Sequence, residues 1–292
     1  MPLSYRDETE ELNELTRREA SGSFVQLSDG FTHYELSNPQ SEDTVVLVHG
    51  FSVPYCIFDP TFDFLTRSGL RVVRYDLFGR GYSDRPETQY NIELFVRQLR
   101  DVLDGLGFTR PVSLVGLSTG GPISAVFTER YPEQVHKLVL IDPVGAKPFA
   151  LGRALKVMAM PFVGETIISL LGIGGMTRIS STEAAIRAYA DQILPGYIKQ
   201  MRYKGFKRAI LSTIRNDMLG SFIDAYEHIG RMDKPVLLFW GPRDRTVPYK
   251  HSEILRQVMP KLQFHAIEDT GHNPHYEKPE EVNPILLDFL RS

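Results

Sequence analysis

Val112-Ser113-Leu114-Val115-Gly116-Leu117-Ser118-Thr119-Gly120-Gly121 is an apolar run that stops at a serine hemmed in by glycines. The pattern predicts a buried strand feeding directly into a very tight turn. A strand that reverses straight into a helix crowds its own backbone, so side chains at 116 and 120 would collide with the neighbouring strand and helix. Beyond the turn, Pro122 suits the first turn of a helix, where backbone N–H groups have no intrahelical partner, and Ile123, Ala125, Val126 and Phe127 continue apolar. The N–H groups of that first turn then face the serine, where developing negative charge would be stabilised. Five letters of Gly-x-Ser-x-Gly mean little alone; the strand before and the helix after give them their significance.

On either side the same rhythm repeats. Thr44-Val45-Val46-Leu47-Val48, Leu70 to Tyr75, Lys137 to Ile141, Pro235 to Trp240 and Leu262 to Ile267 are short β-branched or aliphatic runs. Continuous runs of this kind are those of strands buried on both faces. Helical patterns fall between them, around Phe58 to Ser68 and over residues 91–106, where Ile92, Phe95, Leu99, Val102, Leu103 and Leu106 share one face and Gly107 closes the helix. Ser28-Asp29-Gly30 between two alternating runs predicts a hairpin at the start of the sheet. The expected class is α/β: a mostly parallel, doubly wound sheet of about eight strands. Charge-rich residues 1–21 are expected to be a surface segment with one short helix and no function.

Between Ile141 and Pro235 the alternation breaks. No convincing strand occurs there, only helical patterns such as Thr182 to Leu194 and Gly205 to Asn216, so residues 145–232 are expected to form an inserted helical cap on a core of residues 22–144 and 233–292. The first part of the insertion is oily, with Leu151, Leu155, Val157, Met158, Met160, Phe162, Val163, Ile167, Ile168, Leu170 and Leu171. That is more apolar surface than a two-helix lid normally hides, so some of it should line a substrate pocket, with Met158 and Phe162 the chosen candidates. Pro161, Gly164, Glu165 and further glycines interrupt the window Val157 to Met176, and no transmembrane segment is expected.

The 292 residues, 42% of them hydrophobic, suffice for a large core. Net charge is 33 minus 36, or −3, with no basic block, so neither nucleic acid nor an anionic membrane surface is an expected partner and a small molecule is. Cys56 is a lone cysteine, and the first residues carry no signal-peptide pattern, so the cytoplasm is the expected compartment.

A serine is a weak nucleophile at neutral pH and needs a base, which in turn needs an orienting group. Thr270-Gly271-His272-Asn273-Pro274 follows the last strand and offers His272 as base. Asp244, in the turn after Trp240, is the expected orienter; Asp142, also just past a strand, competes with it, whereas Glu268 and Asp269 suit solvated loop positions. His136, His251 and His265 lack such loop context, and His275 is only a near neighbour of His272.

With these residues in hand the chain resembles the α/β-hydrolase fold superfamily, in particular its capped serine carboxylesterases and monoacylglycerol lipases. Gly116-Leu117-Ser118-Thr119-Gly120-Gly121 matches the nucleophile elbow, His49-Gly50-Phe51 the oxyanion motif, Asp76 to Ser83 the Asp-x-x-Gly-x-Gly-x-Ser loop, and Gly271 to Pro274, trailed by Glu277-Lys278-Pro279, the terminal Gly-His-x-Pro pattern. The order Ser118, Asp244, His272 is that of the family's triad. The resemblance implies an oxyanion hole from the backbone N–H groups of Phe51 and Thr119, with Phe51 also at the substrate. It implies an acyl-enzyme on Ser118 and no metal or organic cofactor. A serine rather than an aspartate at the elbow disfavours halide-displacing and epoxide-opening chemistry. The implied substrate is a small, apolar carboxylic ester. Lactonases, C–C bond hydrolases, cofactor-free haloperoxidases, acyltransferases and non-catalytic receptors of the same fold remain alternatives.

Overall fold

The β-branched runs of the sequence become one eight-stranded sheet. The computed structural model describes residues 5–38, 40–148, 153–180 and 190–292, with the side chains of 153–155, 176–180 and 190–192 excepted. The strands are β1 (Ser23–Leu27), β2 (Gly30–Ser37), β3 (Thr44–Val48), β4 (Arg71–Tyr75), β5 (Val112–Leu117), β6 (Val135–Ile141), β7 (Val236–Trp240) and β8 (Gln263–Ala266), in the order β1-β2-β4-β3-β5-β6-β7-β8. The β1–β2 hairpin turns at the expected Asp-Gly and adds an antiparallel edge at β4. Every pairing from β4 through β3, β5, β6 and β7 to β8 is parallel. All loops leaving β3 to β8 at their carboxyl ends therefore gather on one rim, where ligands of open α/β sheets bind.

Each central strand is buried on both faces, and its alternate side chains feed two cores. Val46, Val73, Leu114, Leu138 and Leu238 pack with α3 (Ile92–Gly105), α4 (Gly120–Arg130) and α10 (Lys250–Val258). Val45, Leu47, Val72, Val115, Val139 and Leu237 pack with α2 (Asp59–Arg67) and α11 (Pro279–Arg291). At about 1.5–3 kcal/mol for each fully buried aliphatic side chain, these two layers dominate the stabilisation of the fold. Helix α3 starts where Asn91 Oδ1 accepts the Leu94 N–H at 3.1 Å, satisfying one of the orphan donors of a helix start.

The described residues of the insertion between β6 and β7 contain five helices joined by turns and one β-bridge, Tyr203 to Glu10: α5 (Arg153–Ala159), α6 (Val163–Ser180, interrupted at Gly172), α7 (Ala190–Gln200), α8 (Phe206–Arg215) and α9 (Ile223–Arg231). Ile193, Tyr197, Phe206, Ile210, Leu211 and Ile214 of α7 and α8 join the second core. Of the expected pattern Thr182 to Leu194, residues 182–189 lie outside the described residues, as do Leu151 and the side chain of Leu155. Helix α9 packs on the first core: Tyr226 is buried there and donates its hydroxyl to Val144 O at 2.8 Å. Among the described residues no helix is long and apolar enough to cross a membrane.

The leading segment differs from the solvated stretch expected. Among its described residues the one helix, α1 (Glu14–Glu19), is short, but Tyr5 and Glu8 are buried. The Glu8 carboxylate accepts the Gly205 and Lys207 N–H groups at 2.7 Å each, and Asp7 pairs with Lys207. A carboxylate at the start of α8 satisfies donors that the helix cannot, which explains why charged residues become buried there.

Candidate active site

Ser118 follows β5 directly and holds a left-handed backbone, φ +52°, uncommon for any residue but glycine. Its N–H donates to Ile141 O at 2.9 Å and its carbonyl accepts from Gly121 at 3.0 Å and Val144 at 3.2 Å, so the strained turn is fixed by β6 and by α4. The flanking glycines are required by space. A Cβ on Gly116 would lie 2.4 Å from Gly120 O, and one on Gly120 would lie 2.1 Å from Val48 O, both inside any real contact distance.

The loop after β3 comes up beside the serine: a Cβ on Gly50 would be 3.1 Å from Ser118 Cβ. His49 sets the attitude of this loop. Its Nε2 accepts the Leu77 N–H at 2.9 Å, which fixes the proton on Nδ1, and Nδ1–H then donates to Gly50 O at 2.9 Å. Complete burial pushes this imidazole down to about 4, so it stays neutral. In a trans peptide the carbonyl and N–H point opposite ways, so pinning Gly50 O turns the Phe51 N–H away from His49. Among the described residues, neither the Phe51 nor the Thr119 N–H donates to a protein acceptor.

At the far side of the rim, His272 Nδ1 and Asp244 Oδ2 are 2.7 Å apart, with the Asp244 side chain fully buried. Asp244 Oδ1 accepts the N–H groups of Thr246 at 2.7 Å and Val247 at 2.9 Å, which lock the carboxylate. Glu277 does the same for the histidine loop, accepting from Gly271 at 2.8 Å and Asn273 at 3.1 Å. Asp142, the competing acid, sits close by: one ligand-type atom from each of Asp142, Asp244 and His272 lies within 4.8 Å of the others. It accepts the Gly241 N–H through Oδ1 at 2.9 Å, while its buried Oδ2 has no partner among the described residues. Burial, and then the Asp244 carboxylate, push its carboxyl well above the usual range. Of the two acids, Asp244 is the one that lies within hydrogen-bonding distance of His272 Nδ1.

Of the three side chains expected at the substrate, Phe51 lies in the loop beside Ser118, and Met158 is partly buried against the second core. Phe162 turns out differently. It adopts φ +63° in the turn between α5 and α6 and is 79% exposed, because the chain reverses there and carries the ring outward. His275 is buried, with Nε2 3.2 Å from Ile57 O, and burial pushes it down to about 3. A pairing that the sequence did not reveal joins His33 to Asp76 at 2.8 Å; Asp76 also accepts from Tyr55 and Tyr82, and so folds the Asp76 to Ser83 loop onto the loop after β3.

Residues 43–279 match the alpha/beta hydrolase fold family, and the chain belongs to it; its general class is that of a hydrolase. It is similar to the 2-hydroxy-6-oxononadienedioate/2-hydroxy-6-oxononatrienedioate hydrolase of Paraburkholderia phymatum, 29% identical over 94% of this chain and 98% of the relative. Monoacylglycerol lipase ABHD6 of Mus musculus is 22% identical over 87% of this chain and 77% of its own length. The solved structure of a bromoperoxidase from Bacillus anthracis superposes with a TM-score of 0.79 at 21% identity, over 93% of this chain and all of that one, a likeness of fold.

Proposed function

We propose that this chain is a serine hydrolase that cleaves small, apolar carboxylic esters through an acyl-enzyme on Ser118. The observation that carries this reading is the buried His272–Asp244 pair on the same rim as the strained Ser118. Ser118 Oγ attacks the carbonyl carbon as its proton passes to His272, and Asp244 stabilises the imidazolium that forms. The N–H groups of Phe51 and Thr119 receive the oxyanion, a contribution on the order of 3 kcal/mol per donor in comparable sites. Collapse of the tetrahedral intermediate returns the proton to the leaving alcohol, and water repeats the sequence on the acyl group. Phe51 and Met158 are the proposed pocket residues; the exposed Phe162 is left out. The proposed cap is the expected stretch 145–232 shortened to 145–222, and the packing of Ala225, Tyr226 and Ile229 in the first core supports counting α9 with the core.

Turnover of p-nitrophenyl esters from acetate to decanoate tests this: hydrolysis with a maximum at a short or medium chain supports it, and no turnover at any length contradicts it. A second reading, C–C bond hydrolysis of a 2-hydroxy-6-oxo-dienoate, is supported by the name and the near-complete coverage of the Paraburkholderia relative. Turnover of 2-hydroxy-6-oxo-6-phenylhexa-2,4-dienoate exceeding that of every ester would favour it.

A further inference from the structure

The loop that carries the Phe51 N–H is gripped from the cap. Phe51 O accepts from Arg80 Nε at 2.8 Å, and the same guanidinium reaches through Nη2 to Thr213 Oγ1 of α8, also at 2.8 Å. The next carbonyl, Ser52 O, accepts from Gln200 Nε2 of α7 at 2.9 Å, while Gln200 Oε1 takes the Gly81 N–H at 2.7 Å. Arg80, Gln200 and Thr213 are all almost completely buried, so these bonds are made away from solvent competition. Arg80 has no carboxylate partner in this set; its charge is spread over the carbonyls of Phe51 and Phe78 and the rings of Phe51, Tyr90 and Phe95. Thr213 is itself fixed, donating its hydroxyl to Ala209 O at 2.8 Å, so its oxygen presents a lone pair to Arg80.

His49 turns the peptide on one side of Phe51, and two cap helices hold the peptides on the other. We propose that Gln200 and Thr213, the latter through Arg80, are positioning residues by which the cap sets the oxyanion loop, so that the cap contributes to the rate of the chemical step as well as covering the site. This rests on the reading of Phe51 N–H as an oxyanion donor. The hole serves the transition state and not the ground state, so disturbing it lowers kcat and leaves KM almost alone.

The test uses the whole chain with Thr213→Val, Thr213→Ser and Gln200→Glu. Valine keeps the shape and removes the acceptor, serine restores it, and glutamate keeps the bond to Gly81 but sets a carboxylate against Ser52 O. Small displacements of donors cost up to about a hundredfold in rate, so kcat for p-nitrophenyl butyrate is expected to fall about tenfold in Thr213→Val and about 10–100-fold in Gln200→Glu, with KM within about twofold. Thr213→Ser should stay within about threefold of the parent. The inhibition constant of a trifluoromethyl ketone, whose hemiketal places an oxyanion in the hole, should rise by the same factor as kcat falls. Folded Thr213→Val that keeps its kcat, or loses it with no change in ketone binding, overturns the proposal even if Gln200→Glu does not fold. A parent protein that neither cleaves the ester nor binds the ketone overturns the Ser118 reading itself, and this proposal with it.

Discussion

His272 donates Nδ1–H to Asp244 Oδ2 across 2.7 Å, while the other carboxylate oxygen is held by two backbone N–H groups. In the neutral imidazole this contact holds the proton on Nδ1 and makes Nε2 the basic nitrogen, which the proposed role toward Ser118 requires. Asp244→Asn keeps the shape and offers the wrong hydrogen-bonding partner, and kcat is expected to fall about 10⁴-fold with the fold intact. Steady-state kinetics with circular dichroism checks this.

Asp142 separates the two acids. Burial and then the Asp244 carboxylate push its carboxyl well up, in the direction of the neutral form, whose shape an amide mimics. Asp142→Asn is expected to keep kcat within about threefold and not to lower the melting temperature, since it removes a buried ionisable group without a cavity. A collapse of activity in this variant and not in Asp244→Asn would make Asp142 the orienting acid.

Gly120→Ala places a Cβ 2.1 Å from Val48 O, a backbone atom that cannot step aside without moving β3. Overpacking of this kind costs at least about 1–3 kcal/mol and here strikes the sheet itself. A lowered urea midpoint, with loss of turnover, is expected; an unchanged midpoint would mean that the turn has another shape.

Stability should decline toward acid. Burial holds His49 at about 4 and His275 at about 3, both below the ordinary histidine value near 6.5, so the unfolded chain binds the extra protons. The free energy of unfolding therefore falls as pH drops from about 6.5 toward 4, by an amount of order 3 kcal/mol from His49 alone. His33 acts in the opposite sense. Burial disfavours its charged form, but the Asp76 carboxylate and the Ser21 carbonyl outweigh this and raise it, so its contribution is complete below 6.5 and lost as pH rises through the raised value. Urea unfolding at pH 5, 6.5 and 8 tests the balance, and His33→Asn should flatten the alkaline side.

The parts legible in the sequence are those governed by local chemistry: the strand runs, the Asp-Gly hairpin, the glycines around Ser118, and the loops carrying Asp244 and His272 at strand ends. What escaped depends on distant partners. Glu8 reads as one charge among many because its partners at the start of α8, Gly205 and Lys207, lie 197 and 199 positions away. His33 carried no motif, and its pairing with Asp76 follows from β2 lying beside β4. Gln200 and Thr213 resemble ordinary polar helix residues until α7 and α8 are folded against Ser52 and Arg80. Phe162 was legible as apolar, but composition does not say which way a turn faces.

The central claim is that Ser118 is the nucleophile, and intact-mass and peptide analysis after treatment with a fluorophosphonate tests it most directly. The account predicts one phosphonyl adduct per chain, located on Ser118, with parallel loss of esterase activity and no adduct in Ser118→Ala. Ester hydrolysis by Ser118→Ala at the parent rate, or an adduct on another residue that accounts for inactivation, would contradict it.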